Sequence, residues 1–148
     1  MRIESQAFKD GDMMPSRFTC DGENINPELG IFDVPEGTVS LAVIMDDPDS
    51  VGGSTFLHWA AWNISPERTK ISEGISPDEA IEGKNGFGKV GYGGPCPAND
   101  KVHHYHFKLF ALKGVLTINP DVTEIELENE IISKGLLDKA ELVGTYKR

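Results

Sequence analysis

Three of the chain's four histidines fall in HHYHFKLFAL, where a loop rich in glycine and proline runs into an alternating apolar segment. Imidazole changes charge near neutral pH, so a well-held histidine can donate to an anion, bind a metal or move a proton. Side chains alternate between faces along a strand. His103 and Tyr105 then share a face with Phe107, Leu109 and Ala111, whereas His104 and His106 share the other with Lys108. The first set points toward apolar surroundings and the second toward a solvated edge. His103 is therefore the informative histidine. A His-x-His metal site at His104 and His106 has no further ligands close by in the sequence.

The fourth histidine, His58, lies inside FLHWAAWNI, a run that is apolar on both faces. In a regular strand its face carries Phe56, Ala60 and Trp62. A buried imidazole needs a partner for each ring nitrogen, which a core histidine and a ligand-binding one both satisfy. Asp47 ends the run VSLAVIM-DD and shares a face with Val39, Leu41, Val43 and Met45, before Pro48 stops the ladder. Asp46 and Asp49 read as turn chemistry, and Asp47 is open to both readings. The segment leading to His103 has six glycines in twelve residues from 83 to 94 and then locks at Pro95 and Pro97. Such a stretch can present main-chain N–H groups to an anion or simply connect.

These residues need a scaffold, and the composition bounds it. The chain has 148 residues, 39% hydrophobic and 26% charged, which suits one domain (residues 1–148) with a single core. Its net charge of −10 and lack of basic clusters oppose non-specific nucleic-acid binding. No apolar run approaches the roughly 20 residues of a membrane span, and the N-terminus has no signal-like apolar core, so a cytoplasmic location is expected. Cys20 and Cys96 are far apart and form neither a CxxC pair nor a zinc framework; two reduced, buried thiols are expected, with a disulfide open if the two loops meet. No GxxxxGK[ST] or GxGxxG occurs in the setting those motifs require, and no cofactor is called for.

Dense turn signals (KDGD, CDGEN, VPEGT, DDPDSVGG, EGKNGFG) between short apolar runs predict a mostly β chain. VSLAVIM and FLHWAAWNI predict central strands covered on both faces. Thr123 with Glu126 predicts a capping box opening a helix, with Ile125, Ile131 and Ile132 near helical spacing and Gly135 as its stop. A second short helix over Leu137 to Leu142 and a short returning strand at GTYKR are also expected.

The ordered segments TCDGENINP, SLAVIMDDPDS, FLHWAAWNI, GYGGPCP, HHYHFKLFAL and ELVGTYKR closely resemble the bacterial and archaeal, Raf-kinase-inhibitor-like branch of the phosphatidylethanolamine-binding protein family. The resemblance covers nearly the whole chain. It implies a β-sandwich of a large and a small antiparallel sheet with one or two short C-terminal helices. It also implies a pocket for phosphate, acetate or a phospholipid head group, a kinase or protease as possible protein partner, and a homodimer. By motif position the pocket carboxylate falls on Asp47, with Asp49 supporting the turn. The strand histidine falls on His58, the Gly-Pro turn on Gly94 and Pro95, and the H-R-Y pair on His103 and Tyr105. The chain departs from the family pattern at Ser50 and Val51, at His104 in place of arginine, and near Ile31, where a tryptophan is missing.

The chemistry expected of such a pocket is anion binding. Asp47 beside two histidines favours imidazolium, by roughly 4 kcal/mol at 4 Å and an effective dielectric near 20, while burial opposes it. If the carboxylate prevails, His58, His103 and Tyr105 donate to the ligand, and affinity for phosphate rises from pH 8 toward pH 6. The competing reading is a hydrolase of small phosphate or carboxylate esters, with His58, His103 and Asp47 as acid and base and Ser54 or water as nucleophile. No G-x-S-x-G elbow accompanies it. A metal site built from the histidines and the Asp cluster is a third reading.

Overall fold

The computed structural model describes residues 1–148. Two antiparallel sheets face each other. The small sheet orders β1 (Arg2–Glu4), β2 (Leu29–Phe32) and β5 (Lys70–Ile71). The large one runs β6 (Ile81–Glu82), β4 (Phe56–Ile64), β3 (Ser40–Asp47), β7 (His103–Leu112) and β8 (Leu136–Tyr146). One helix, α1 (Glu124–Lys134), covers the outer face of the large sheet.

Strand β3 is buried along its whole length, which is why its sequence is almost unbroken in apolar residues. Leu41, Val43 and Met45 point into the core between the sheets, with Ile3, Leu29, Ile31 and Ile71 of the small sheet. Ala42 and Ile44 point the other way, into a second core with Trp62, Phe110, Leu127 and Ile131. The large sheet is thus the middle of three layers, and the alternation of β3 leaves Asp47 on the inter-sheet side and Asp46 on the helix side.

The capping box of α1 forms as expected: Thr123 Oγ1 accepts from Glu126 N–H, and Glu126 Oε2 accepts from Thr123 N–H. Gly135 stops the helix with φ of 95°. The buried face differs from the expected one. Leu127 and Ile131 are buried, while Ile125 and Ile132 are 72% and 66% exposed.

Three expectations are corrected. Leu137 to Leu142 is no helix. It belongs to β8, an eleven-residue strand paired with β7 from Leu112↔Leu136 to His103↔Tyr146, and it places Leu142 and Tyr146 in the inter-sheet core. Tertiary pairing overrides the helix-forming residues there. The cysteines are not two reduced thiols, because Cys20 and Cys96 form a disulfide across 76 residues of sequence. The loops meet because Cys20 N–H donates to Pro95 C=O at 3.0 Å, and Tyr92 OH to Phe18 C=O at 2.7 Å.

The third correction concerns β4, which is not regular. Met45 pairs with Trp59 and Asp46 pairs with Leu57, so His58 has no partner residue on β3. This β-bulge inserts one residue and re-aims the side chains around it. Phe56 and His58 both face the inter-sheet side, while Ala60 and Trp62 face the helix side. His58 therefore does not share its face with Ala60 and Trp62.

Candidate functional site

Asp47, His58, His103 and Tyr105 come together from three strands around one cavity of about 200 Å³. All four are buried, and Tyr105 is fully so. Ser50, Val51, Phe56, Phe87 and the stretch Cys96, Pro97, Ala98 complete its lining. Gly94 and Pro95, expected to shape the rim, are not among the residues that line the cavity. Gly94 N–H donates to Asn24 Oδ1 at 2.8 Å, and a Cβ at Gly94 would run into the Phe18 carbonyl. Only glycine permits that approach.

The polar groups are held in a definite order. Asp47 Oδ1 accepts from Asp49 N–H at 2.8 Å, an Asx turn that fixes the carboxylate. Asp47 Oδ2 accepts from His103 Nδ1–H at 2.7 Å. His103 Nε2 faces Asn99 Oδ1 at 3.0 Å. Both ring nitrogens thus meet oxygen acceptors, an arrangement suited to a ring that donates twice. The His103 ring stacks over Tyr105 with 6.3 Å between centroids.

His58 Nδ1–H donates to Gly93 C=O at 2.6 Å, and Gly93 N–H donates back to His58 C=O at 2.9 Å. Carbonyl oxygen only accepts, so the proton sits on Nδ1 and Nε2 is left with its lone pair. Phe56, Phe87 and Tyr105 enclose this ring at centroid distances of 4.8, 5.6 and 5.2 Å. Burial pushes the His58 imidazole below its usual value, against the opposing pulls of Gly93 C=O and Asp47. His58 is therefore neutral at pH 7, where the sequence left open that Asp47 would hold it charged.

Tyr105 OH is buried without a hydrogen-bond partner. Burial, and next the Asp47 charge, push its ionisation well above the usual phenol range, so it stays a neutral donor. No protein group meets that hydroxyl, so its partner comes from whatever enters the cavity that Tyr105 lines.

The remaining histidines lie elsewhere. His104 is exposed; its N–H and Nδ1 both reach Asp49 Oδ2, at 2.9 and 2.7 Å. Those His104 hydrogen bonds hold the Asp49 carboxyl below its usual range. His106 pairs with Glu141. Ser54 lines a different, polar hollow on the helix side with Asp46, His106, Lys108, Glu124 and Glu128. The nucleophile named for a hydrolase is thus not in the cavity of His58 and His103.

That second hollow holds three carboxyl groups close enough to share an ion, Asp46, Glu124 and Glu128. Lys108 already occupies the centre, pairing with Asp46 and lying 3.8 Å from Glu124 and 3.5 Å from Glu128. Burial, then the hydrogen bond and charge of Asp46, push Glu124 up to about 8.

Sequence reasoning missed Asn99, Phe87 and the wall from Cys96 to Ala98. The Pro-Cys-Pro stretch was a visible signal of a rigid wall. Nothing local marks Asn99 as the partner of His103.

A profile of the phosphatidylethanolamine-binding protein family matches residues 4–147. A UPF0098 protein of Pyrococcus horikoshii is 43% identical over 97% of this chain and 75% of its own length. A crystal structure of a phosphatidylethanolamine-binding protein homologue from Chlamydia trachomatis superposes with a TM-score of 0.91 at 36% identity, covering 99% of this chain and 97% of that one. The Escherichia coli protein YbcL, described as a member of the mammalian family, does so at 0.92 and 31%, covering 99% and 98%.

Proposed function

This chain belongs to the phosphatidylethanolamine-binding protein family, and on that premise we propose that its cavity binds a small oxyanion, a phosphate or carboxylate group, as a recognition module rather than a catalyst. The observation that carries the reading is the buried, unpartnered hydroxyl of Tyr105 at the wall of a cavity. An oxyanion oxygen is the partner it lacks. His103 Nε2 supplies a second donor when Asn99 Oδ1 gives way, since a ligand oxygen offers the same acceptor with more charge.

Asp47 commits one oxygen to Asp49 N–H and the other to His103 Nδ1–H. It orients the imidazole. Neutral His58 offers Nε2 as an acceptor, which suits a ligand oxygen that carries a proton, such as a monoprotonated phosphate. The apolar rim of Val51, Phe56 and Phe87 excludes water around the anion and strengthens each hydrogen bond. A phosphorylated small molecule, a lipid head group or a modified protein partner shares this chemistry.

Calorimetry with inorganic phosphate on the native protein and Tyr105→Phe tests the reading. Removing an unpartnered hydroxyl should leave thermal stability equal or higher, while phosphate affinity falls about tenfold, the scale of one hydrogen bond to a charged group. Unchanged affinity in the variant would refute the reading.

A further inference from the structure

The loop that carries the pocket wall is held in an uneven way. From Tyr92 to Pro95 it is tied to the turn at residues 18–24 by three hydrogen bonds: Tyr92 OH to Phe18 C=O, Gly94 N–H to Asn24 Oδ1, and Cys20 N–H to Pro95 C=O. Beyond Pro95 the chain runs from Cys96 to Val102 with no main-chain hydrogen bond to the rest of the molecule. Its ties there are the Cys20–Cys96 disulfide, the Asn99–His103 contact, and Arg148 lying 4.0 Å from Cys96 Sγ. This is also the stretch that lines the cavity through Cys96, Pro97 and Ala98 and that covers His103 Nε2 through Asn99. Neither cysteine is fully buried.

We propose that the Cys20–Cys96 disulfide is a thiol-exchange site coupled to the pocket: reduction by an external dithiol releases the wall from Cys96 to Val102 and weakens anion binding. The proposal rests on the anion-pocket reading given above. In the first step one thiolate of the dithiol attacks Cys20 Sγ, forming a mixed disulfide. The Cys20–Cys96 bond breaks, and its electron pair leaves on Cys96 Sγ beside the Arg148 guanidinium, which stabilises the departing thiolate. The second thiolate of the dithiol then attacks its partner sulfur in the mixed disulfide and expels Cys20 as thiolate. The dithiol loses two electrons and becomes a disulfide, the protein gains them, and the two cysteines take up the two protons the dithiol released.

The oxidised protein presents the wall already ordered. The reduced protein must order it again on binding, so reduction should weaken phosphate binding about tenfold, the equilibrium cost of fixing roughly one freed backbone residue. Linkage requires the reciprocal effect: saturating phosphate should lower the disulfide's midpoint potential by the same factor, about 30 mV for a two-electron couple.

The experiment is phosphate calorimetry at 25 °C on the oxidised protein, on the same protein reduced with dithiothreitol, and on the Cys20→Ser, Cys96→Ser double variant. Near-ultraviolet circular dichroism checks that each is folded. The expected result is tenfold weaker binding in both forms that lack the bridge; if the double variant does not fold, the reduced native protein decides. Equal affinity before and after verified reduction would overturn the coupling and leave the bridge a stabilising one. Absent binding to the oxidised protein would refute the anion pocket instead. Tryptic cleavage after the exposed Lys101 then still decides whether the bridge holds the wall, with no faster cleavage on reduction counting against it.

Discussion

Replacing Glu124 with glutamine should raise stability at alkaline pH and leave it little changed in acid. Glu124 is mostly buried beside Asp46, and its carboxyl is pushed from an ordinary 4.5 up to about 8, first by burial and then by Asp46. Because the two carboxyl groups share the strain, the proton belongs to the pair. The folded state holds that proton across a range where the unfolded chain has released it. Stability from this pair is therefore complete below about pH 4.5 and is lost as pH rises through about 8. The loss runs at about 1.4 kcal/mol per pH unit inside that window and reaches at most about 5 kcal/mol above it. Glutamine keeps a donor toward Asp46 and cannot ionise. Guanidinium denaturation of both proteins from pH 5 to pH 9 gives the test. The variant's advantage should widen by about 1.4 kcal/mol per unit between pH 5 and 7.5 and level off beyond 8. Parallel stability curves for the two proteins would refute the account of a buried, proton-sharing pair.

Sulfate affinity, measured because sulfate stays fully ionised across the range, should rise as pH falls, with the rise lying below the ordinary imidazole value of about 6.5, because burial disfavours the His58 imidazolium. A rise complete by pH 7, absent in His58→Gln, would show that the carboxylate prevails over burial after all. Gly94→Ala should destabilise by about 1–3 kcal/mol, since its methyl is built into the Phe18 carbonyl and crowds Asn24 Oδ1 at 2.6 Å; a thermal melt shows it, and an unchanged midpoint would mean the two turns yield without cost.

What the sequence disclosed was whatever repeats with a local period. The apolar run of β3, the capping box at Thr123 and Glu126, and the alternation that separates His103 and Tyr105 from His104 and His106 all follow from spacing along a single element. What stayed hidden depends on partners far away in the chain. Leu137 to Leu142 has helix-forming residues, and only its pairing with β7 makes it a strand. The meeting of Cys20 with Cys96 is decided by two loops packing together, which no local pattern records. Ile125 and Ile132 fit a helical period but not the side of α1 that the sheet covers. Asn99 gave no sign, because its role comes from where the wall folds back over His103.

The irregularity in β4 has a consequence for how the protein can change over generations. His58 reaches the cavity because β4 carries an extra residue between Leu57 and Trp59, whose partners Asp46 and Met45 are adjacent in β3; a second extra residue lies between Ala61 and Ile64. Loss of Leu57 alone would even the ladder at that point, set His58 opposite Asp46 and turn the imidazole toward α1. The sheet could close up neatly around such a loss, and the cavity would be left without its ring. Single-residue deletions, more than point substitutions, are the changes to which this hollow is exposed while the fold itself survives.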